Sequence, residues 1–595
     1  MPNPCSHRRR PRWWCRSRRS SRCGKTLLVS EATYRAPGRL ADPALWLFAV
    51  LIGSLVLLVA NPILRLVWDS FHTAQGDWSL QSYAFALGSS RNLQALLNSL
   101  GLGAAVTVLA LALGVPLALA VSRSNMPARG LVHLSVLAAF VMPNFLGAIA
   151  WILLAGPNAG WLNRLVILLT GADKGPLNIF SFWGLAFVIA LYTFPLIYVF
   201  TTAALDLVST ELEDAAAIHG AGKFQTMARV TLPLALPSII GAAILIFLEA
   251  ISLYGTPALI AIPARINLAT TQLVSFFQYP LEIEQAAAFS MPILLLTVVM
   301  LVLQRHLLAR RGYVSVSGKG GERRPLDIGA WKWVLLGYSA LVALLAVVMP
   351  LVILVLASLS KAWGRGLASG NLTLGNYTNI FFEQVTVRSA IVNTVVYSVS
   401  TALVCVLMGI CIAYATQRRI TPFPSVVQFL ALAPVAVPGI ILAIGLYAAY
   451  AGPPFSLYGT GLLIVVAFTT RFLPIAVTAC AAAVRSLNPE LEEAVRVLGG
   501  GRVTVLARVV APLLKKTLVG AFILIFVICT KELSTAVFLS GPTSRVVSVL
   551  TLDLSEQGNY EILAAMGVVL VAIVTLVVAA GMRVAGRDFM LRRSA

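Results

Sequence analysis

Two related stretches of sequence, "ELEDAAAIHGAGKFQTMARVTLP" at residues 211–233 and "ELEEAVRVLGGGRVTVLARVVAP" at residues 490–512, carry the strongest signal in this chain. They start 279 residues apart (490 − 211) and share Glu-Leu-Glu, two glycines, Ala-Arg-Val and the final proline. Both are polar and helical in pattern, although only 11% of the residues in the chain are charged. Similarity at a fixed distance indicates a duplicated structural unit.

The sequence around these stretches is that of a membrane protein. The chain has 595 residues, of which 58% are hydrophobic, and its mean hydropathy is +0.87. A membrane-spanning helix needs roughly 20 mostly apolar residues. We expect an all-α fold, a polytopic protein of about 12 transmembrane helices, because the apolar runs are too long for the strands of a β-barrel. The predicted spans lie near residues 44–66, 95–122, 131–155, 182–205, 236–255, 287–304, 333–358, 391–416, 425–450, 460–484, 517–540 and 561–582.

Positive charge marks one side of the membrane. The formal net charge is +22, and Lys and Arg concentrate in the tail 1–43, the segment 305–332 and the C-terminus from Arg583. The connections on the other side are poor in them, so both termini and both polar stretches are predicted to lie in the cytoplasm. The basic tail is expected to be disordered and attracted to anionic lipid, or to reflect a start codon assigned too early. A nucleic-acid partner is not expected.

The sequence offers no pattern for catalysis or cofactor binding. The seven cysteines and five histidines are not spaced like a disulfide framework or a metal site. "CGKT" at residues 23–26 lacks the glycine that a phosphate-binding loop needs five residues before Gly24, where Arg19 stands. We therefore expect no catalytic residue, no metal site and no cofactor bound by this chain.

The duplication extends beyond the polar stretches. Pro143 recurs as Pro438, 295 residues later, whereas the polar stretches are 279 residues apart. The first half therefore carries 16 extra residues (295 − 279) in a loop between Pro143 and its polar stretch. Repeats with the same six-span topology are parallel, related by an axis along the membrane normal. The expected domains are a basic tail 1–43, a first six-helix domain 44–310, a cytoplasmic linker 311–330 and a second six-helix domain 331–595.

Each polar stretch is typical of a short surface helix, a glycine turn and a second helix. Ser209 and Asn488 stand at the predicted N-caps, and acidic residues fill the first turns. Gly220 and Gly499 stand where a left-handed C-cap is required. Small alanines on the helix would allow the groove of another protein to close over it. We interpret both stretches as docking elements.

The order Asp214-Ala215-Ala216, then Gly220 and a closing Leu-Pro, resembles the EAA loop of permeases in binding-protein-dependent ABC importers, the MetI-like type I family. The second copy departs mildly, with valine for the second alanine of the motif. In that family the loop forms a coupling helix that fits a cleft on the ATP-binding subunit. The residues to which the resemblance assigns ATPase coupling are Glu213, Asp214, Ala215, Ala216, Gly220, Glu492, Glu493, Ala494 and Gly499.

The resemblance covers nearly all of the chain from about residue 44. It implies a bacterial inner-membrane permease subunit, not an enzyme, that works with two ATP-binding cassette subunits carrying ATP-Mg and with an extracytoplasmic solute-binding protein. Two such units in one chain are similar to ferric-iron, thiamine and 2-aminoethylphosphonate permeases. "FLEAISLYGTPALI" at 247–260 and "TKELSTAVFL" at 530–539 favour ferric iron. The alternatives are the other two solutes and, in another class, an ion-gradient-driven secondary transporter.

Three charged residues fall at similar depths in equivalent spans of the two halves. Glu249 follows the first polar stretch, and Lys531 and Glu532 follow the second. Charges inside spans are costly and usually face a protein interior or a water-filled path. The hypothesis is that the two glutamates line a central translocation path, with Lys531 neutralising one of them; the alternative is that all three only hold helices together. Arg471 is expected to be a structural partner for a carbonyl or a carboxylate.

Overall fold

The computed structural model of the protein describes residues 43–73, 75–310, 326–366, 368–421 and 423–585. The predicted tail, apart from its last residue, and residues 311–325 of the predicted linker lie outside the described ranges. Within those ranges the structure is helical, and its extended pairings are isolated bridges rather than strands. The expected all-α fold is confirmed.

Nine helices among the described residues are long and apolar enough to cross a membrane, and three bent pairs of helices raise the number to twelve. The expectation of about twelve spans is confirmed. Spans 1 to 6 are Phe48–Ser70, Ser90–Arg123, the pair Arg129–Val141 and Asn144–Ala155, Phe182–Leu207, Lys223–Ser252 and Ile283–Leu308. Spans 7 to 12 are Trp331–Ser358, Val385–Gln417, the pair Pro424–Ala436 and Gly439–Tyr450, Gly461–Ser486, the pair Arg502–Leu513 and Lys515–Thr530, and Tyr560–Val584.

Short helices fill several of the connections between spans. They are Gln81–Gly88, Trp161–Thr170, Thr210–Ile218, Gly255–Ile260, Ala269–Ser275, Glu490–Val497, Ala536–Leu539 and Val547–Glu556. Two of them, Thr210–Ile218 and Glu490–Val497, belong to the polar stretches. They define the polar-helix end of the bundle, and the connections between spans 1 and 2 or spans 3 and 4 define the opposite end.

Spans 3 and 9 are each broken near the middle, which the sequence analysis did not predict. The two parts of span 3 meet at 100°, and those of span 9 at 114°. Pro143 and Pro438 stand at the breaks, and the residues before them, Met142 and Val437, have extended backbones. Proline has no N–H to donate and its ring disfavours a helical conformation in the preceding residue, so the helix ends there. The break in span 3 brings Asn144 to the wall of a cavity between the halves.

The first span of each half packs against the other half. Span 1 contacts span 9, and span 7 contacts the second part of span 3. Gly445 permits the first of these contacts, because a Cβ at this position would lie 2.6 Å from the carbonyl oxygen of Pro62. Spans 4 and 10 form the centre, with 72% and 61% of their apolar windows buried, against 28% for span 1. The two halves therefore form one bundle with a seam between them.

The described end of the linker, residues 326–330, is attached to the first polar stretch. The Lys223 ammonium donates to the backbone carbonyl of Asp327, and the Asn125 amide donates to its carboxylate at 2.6 Å. Donation from the Gly329 N–H and from Asn125 lowers the pKa of the Asp327 carboxyl. These contacts join the start of the second half to one polar stretch and make the polar-helix ends of the two halves unequal.

Candidate functional site

The first polar stretch folds as a short helix from Thr210 to Ile218. The Ser209 hydroxyl accepts a hydrogen bond from the Glu211 N–H at 3.2 Å, which satisfies one of the backbone donors left unpaired at a helix start. The helix stops before Gly220, whose φ of +82° lies in the left-handed region. The predicted N-cap and glycine turn are both confirmed.

The second polar stretch repeats this geometry in the helix Glu490–Val497. The Asn488 side-chain oxygen accepts from the Glu490 N–H at 3.1 Å, and Gly499 has a φ of +81°. A Cβ placed at Gly220 or Gly499 would meet no atom within 4 Å. The backbone angle, and not a shortage of space, therefore requires glycine at both turns.

Matched apolar side chains project from the two polar helices. Leu212 and Leu491 are each 48% exposed, and at the other end of the helices Ile218 is 84% and Val497 86% exposed. Each pair is 279 residues apart. The exposed Ala215 and Ala494 lie between these side chains at three-residue spacing, so both helices present the same small apolar face at the polar-helix end of the bundle.

The nine residues predicted to couple to an ATPase divide into an exposed group and a buried pair. The exposed members are Asp214, Ala215, Gly220, Glu493, Ala494 and Gly499, and Ala216 is half-buried. Glu213 and Glu492 are buried, at 5% and 8% exposure. The buried carboxylates occupy the same position in both copies, so they face the bundle and the rest of the motif faces outward.

The Glu213 carboxylate is bound by an arginine from the end of span 2. Arg123 Nη1 lies 3.4 Å from Glu213 Oε2, and the Thr231 hydroxyl donates to Oε1 at 2.7 Å. Arg123 Nη2 also donates to the carbonyl oxygens of Leu205 and Val208, where span 4 ends. One guanidinium group therefore joins span 2, span 4 and the first polar helix.

Arg418 makes the equivalent contacts in the second half. Its Nε donates to Glu492 Oε1 at 2.8 Å, and its Nη2 donates to the carbonyl oxygens of Val484 and Leu487 at 3.3 and 3.1 Å. We call each such arrangement an arginine clamp. Neither arginine was assigned a role from the sequence alone. The signal that identifies them is the separation of 295 residues between Arg123 and Arg418, the separation that Pro143 and Pro438 also show.

A cavity of about 130 Å³, the central cavity, lies between the two halves near the ends of spans 5 and 11. Its charged lining residues are Glu249 from the first half and Arg471, Lys531 and Glu532 from the second. The structure thus brings together the three residues predicted for a translocation path and adds Arg471. Glu249 is exposed, although it belongs to an apolar span, because it faces this cavity.

Arg471 is the cation that contacts Glu532. Its Nη1 lies 3.3 Å from Glu532 Oε1, and the same oxygen accepts from the Thr535 N–H at 2.9 Å. The expectation that Arg471 pairs with a carbonyl or a carboxylate is confirmed. Lys531, expected to neutralise a path carboxylate, makes its direct contacts with Phe140 instead: Nζ donates to the backbone carbonyl at 2.9 Å and lies 4.3 Å from the ring centre.

The central cavity is lined by charges of both signs. Two carboxylates and two cations line it, and Glu249 has no ion pair among the described residues. No group of three or more His, Cys, Asp or Glu side chains in the described ranges is placed to hold a metal ion. The cavity therefore presents individual polar groups rather than a closed coordination shell.

Comparison with known proteins supplies a family. The family model described as "Binding-protein-dependent transport system inner membrane component" matches residues 81–313 and 405–588. Together the two segments cover more than half of the chain. Each matched segment contains one polar helix and one arginine clamp.

Relatives align with most of this chain or with one half of it. The ferric transport system permease protein FbpB of Actinobacillus pleuropneumoniae is 25% identical over 501 residues, which cover 83% of this chain and 71% of the relative. A putative ferric transport system permease protein of Haemophilus influenzae is 24% identical over 497 residues, 82% of this chain and 77% of the relative. A putative 2-aminoethylphosphonate transport system permease protein of Salmonella paratyphi A is 24% identical over 239 residues, 40% of this chain and 89% of the relative.

Proposed function

This chain belongs to the family of binding-protein-dependent transport system inner membrane components, and we propose that it carries ferric iron across the membrane with energy from a separate ATPase. Its class is established by the family: it is a permease subunit of an ABC importer and a multi-pass membrane protein. The iron assignment is supported by two relatives that align with over 80% of the chain. The phosphonate permease aligns with one half only.

The main support for ATP-driven transport is the pair of polar helices. Each presents an acidic residue and an exposed apolar side chain at matched positions, Asp214 with Ile218 and Glu493 with Val497. A contiguous exposed apolar patch with a polar rim marks a place where another protein binds, and Leu212, Ala215 and Ile218 form such a patch on the first helix. Two equivalent surfaces would dock two ATP-binding cassette subunits, and ATP-Mg would be bound there and not by this chain.

The polar-helix end would face the cytoplasm, with both termini on that side, because the positive charge is concentrated there. The opposite end would then receive the extracytoplasmic solute-binding protein. In this arrangement residues 44–310 and 331–595 are the two permease domains, and residues 311–330 are a cytoplasmic linker between them.

The arginine clamps would transmit the movement of the docked ATPases. Glu213 and Glu492 are buried, so their part in coupling is to position the polar helices rather than to touch the partner. Each clamp ties a polar helix to two spans of its own half. Displacing the polar helix therefore displaces the ends of both spans, and the two halves would rock about the seam between them.

The central cavity would be the narrow part of the path. Its exposed carboxylate, Glu249, attracts a cation, and the nearby Lys531 and Arg471 oppose a cation. Conduction requires binding that is strong enough for entry and weak enough for release. A mixed set of charges meets that requirement better than a cluster of carboxylates would.

Reconstitution in lipid vesicles tests the proposed function. The permease is inserted with its ATPase, ATP is supplied on the side of the polar helices, and iron-loaded solute-binding protein is supplied on the other side. We expect radioactive iron to cross only when ATP and the binding protein are both present, and not with a hydrolysis-deficient ATPase.

Two outcomes would contradict this proposal in different ways. Transport by this chain alone, driven by an ion gradient, would place it among secondary transporters. ATP-dependent transport of 2-aminoethylphosphonate or thiamine in place of iron would mean that the chain is an ABC importer permease with a different substrate.

A further inference from the structure

A second cavity, of about 440 Å³, lies at the end of the bundle opposite the polar helices. We call it the outer pocket. It is formed where spans 1 and 9 end and span 6 begins, and its lining includes Asp69, His72, Glu284, Tyr447 and Ala448. It is separate from the central cavity, with which it shares no lining residue.

The duplication gives the outer pocket a counterpart in the second half. Glu284 and Glu561 are each the second residue of the last span of their half. In the second half this glutamate has a partner from the chain itself: Glu561 Oε1 accepts a hydrogen bond from the Trp363 N–H at 2.6 Å. The place equivalent to the outer pocket is therefore occupied by a segment of protein.

The occupying segment is an insertion in the second half. Both loops after the first span begin alike, since Ser70 and Ser358 each bond a tyrosine hydroxyl. An isolated bridge then closes each loop, between residues 72 and 78 in the first half and between residues 360 and 372 in the second. The bridge partners are six residues apart in one loop and twelve in the other. The additional residues of the second loop include the turn Trp363–Arg365.

A short helix of the first half contacts that turn. The ring of Trp363 is buried and stacks on Trp161, with ring centres 5.2 Å apart, and the Arg164 guanidinium donates to the Gly364 carbonyl. Trp161 and Arg164 belong to the short helix Trp161–Thr170. That helix lies in the extra length of the first half.

Neither the inserted turn nor its supporting helix has an equivalent among the described residues at the outer pocket. Among the residues that the structure describes, the connection after span 9 has no helix like Trp161–Thr170, and the loop after span 1 has no turn like Trp363–Arg365. Asp69 pairs with Arg65 at 3.5 Å, but other polar groups of the pocket have no such partner in the described ranges. His72 is 5% exposed, and its Nδ1 bonds the Trp68 carbonyl at 2.7 Å, which leaves Nε2 without a hydrogen-bond partner among the described residues.

We propose that the outer pocket receives a loop of the extracytoplasmic solute-binding protein, which presents an aromatic side chain to Tyr447 and an N–H donor to Glu284, as Trp363 does for Glu561. The inference rests on the proposed function, because that function supplies the partner. A protein segment is favoured over a free solute because the counterpart is occupied by protein. A metal ion is disfavoured because the described residues place no set of three ligands for it.

Binding measurements with the solute-binding protein test this inference. The permease–ATPase complex is held in nanodiscs, and the dissociation constant of the binding protein is compared for the wild type, Ala448→Trp, which fills the pocket, and Glu284→Gln, which removes the charged acceptor. We expect binding to weaken by about tenfold or more in Glu284→Gln, as the loss of a hydrogen bond to a charged group implies. A loss of similar size is expected in Ala448→Trp, because the added ring occupies the space that the loop would fill. Leu168→Trp is the matched control, because Leu168 is 82% exposed at the same end of the molecule but lies outside the pocket.

Photo-crosslinking from the rim of the pocket identifies the occupant directly and does not require the pocket to be filled or its charge removed. A photoreactive phenylalanine derivative at Gly452, an exposed lining residue at which an added Cβ would meet no atom within 4 Å, leaves the pocket open and is expected to form an adduct with one loop of the solute-binding protein. An adduct with lipid only, or wild-type affinity in properly assembled Ala448→Trp and Glu284→Gln complexes, would overturn the inference and leave the proposed function intact. A wild-type complex that neither binds the protein nor responds to it with increased ATP hydrolysis would overturn both.

Discussion

At the scale of single residues, the two carboxylates of the central cavity differ in how they are neutralised. Glu532 contacts Arg471 and the backbone of its own loop, and only 8% of it is exposed. Glu249 is exposed to the cavity and has no such contact. An ion pair already satisfied within the protein has little to offer a passing cation. Glu249 is therefore the carboxylate that we expect to meet the substrate, and Glu532 the one that holds Arg471 in place.

Replacing Glu249 with glutamine tests this assignment. Glutamine keeps the size of the side chain and removes its charge, so ATP-driven iron uptake in vesicles is expected to fall by about tenfold or more. Glu383→Gln is the control, because Glu383 is an exposed carboxylate at the opposite end of the bundle. Uptake by Glu249→Gln at the rate of the control would mean that Glu249 has only a structural part.

At the scale of elements, the arginine clamps connect each polar helix to its spans. Arg123 and Glu213 are both about 5% exposed, so their charges are removed from water and compensated by each other. Removing one partner of a buried pair leaves the other charge uncompensated, which costs more than an exposed ion pair contributes. The clamps therefore make each polar helix and the ends of two spans a single mechanical unit.

Arg123→Ala should destabilise the permease by about 3–5 kcal/mol, the usual loss when a buried ion pair is broken. Thermal unfolding of the detergent-purified protein measures the effect. Arg91→Ala, at an exposed position, is the control. The double variant Arg123→Met with Glu213→Leu removes both charges and should unfold at a higher temperature than Arg123→Ala. A single variant as stable as the control would contradict the clamp.

At the scale of the whole molecule, the halves share one plan but are not equivalent. The linker is attached to the first polar stretch, the outer pocket is open in the first half only, and the cations of the central cavity come from the second half. Direct bonds cross the seam between the halves near that cavity. The Tyr254 N–H donates to the Ser534 hydroxyl at 3.2 Å, and Lys531 donates to the Phe140 carbonyl. These bonds must change if the halves rock against each other.

A cross-link at the seam tests the rocking motion. Tyr254→Cys with Ser534→Cys, in a chain whose three tail cysteines are serine, should form a disulfide under oxidation. Because the link holds the halves together, ATP-driven uptake should stop in the oxidised protein and return after reduction. The ATPase should remain bound, since the polar helices lie at another level of the bundle. Full uptake by the cross-linked protein would contradict a rocking mechanism.

The sequence alone determined the membrane class, the two six-span halves, and the caps and glycine turns of the polar helices. These features depend on residues that are neighbours in the chain: a run of apolar residues predicts a span, and a cap is set within a few positions of the helix it begins. Duplication added evidence, because the same local pattern occurs twice. The sequence showed that the prolines at the breaks of spans 3 and 9 occupy equivalent positions in the two halves. It did not predict that the helices bend sharply there.

Only the tertiary structure decided which charges meet. Arg123 and Glu213 are 90 residues apart in the chain, Arg471 and Glu532 are 61 apart (532 − 471), and Trp363 and Glu561 are 198 apart. Such pairs form because packing removes side chains from water, where each charge or donor then needs a partner within about 3 Å. The chain lists the charges in order, but distance and burial, which determine their partners, exist only once the spans have packed.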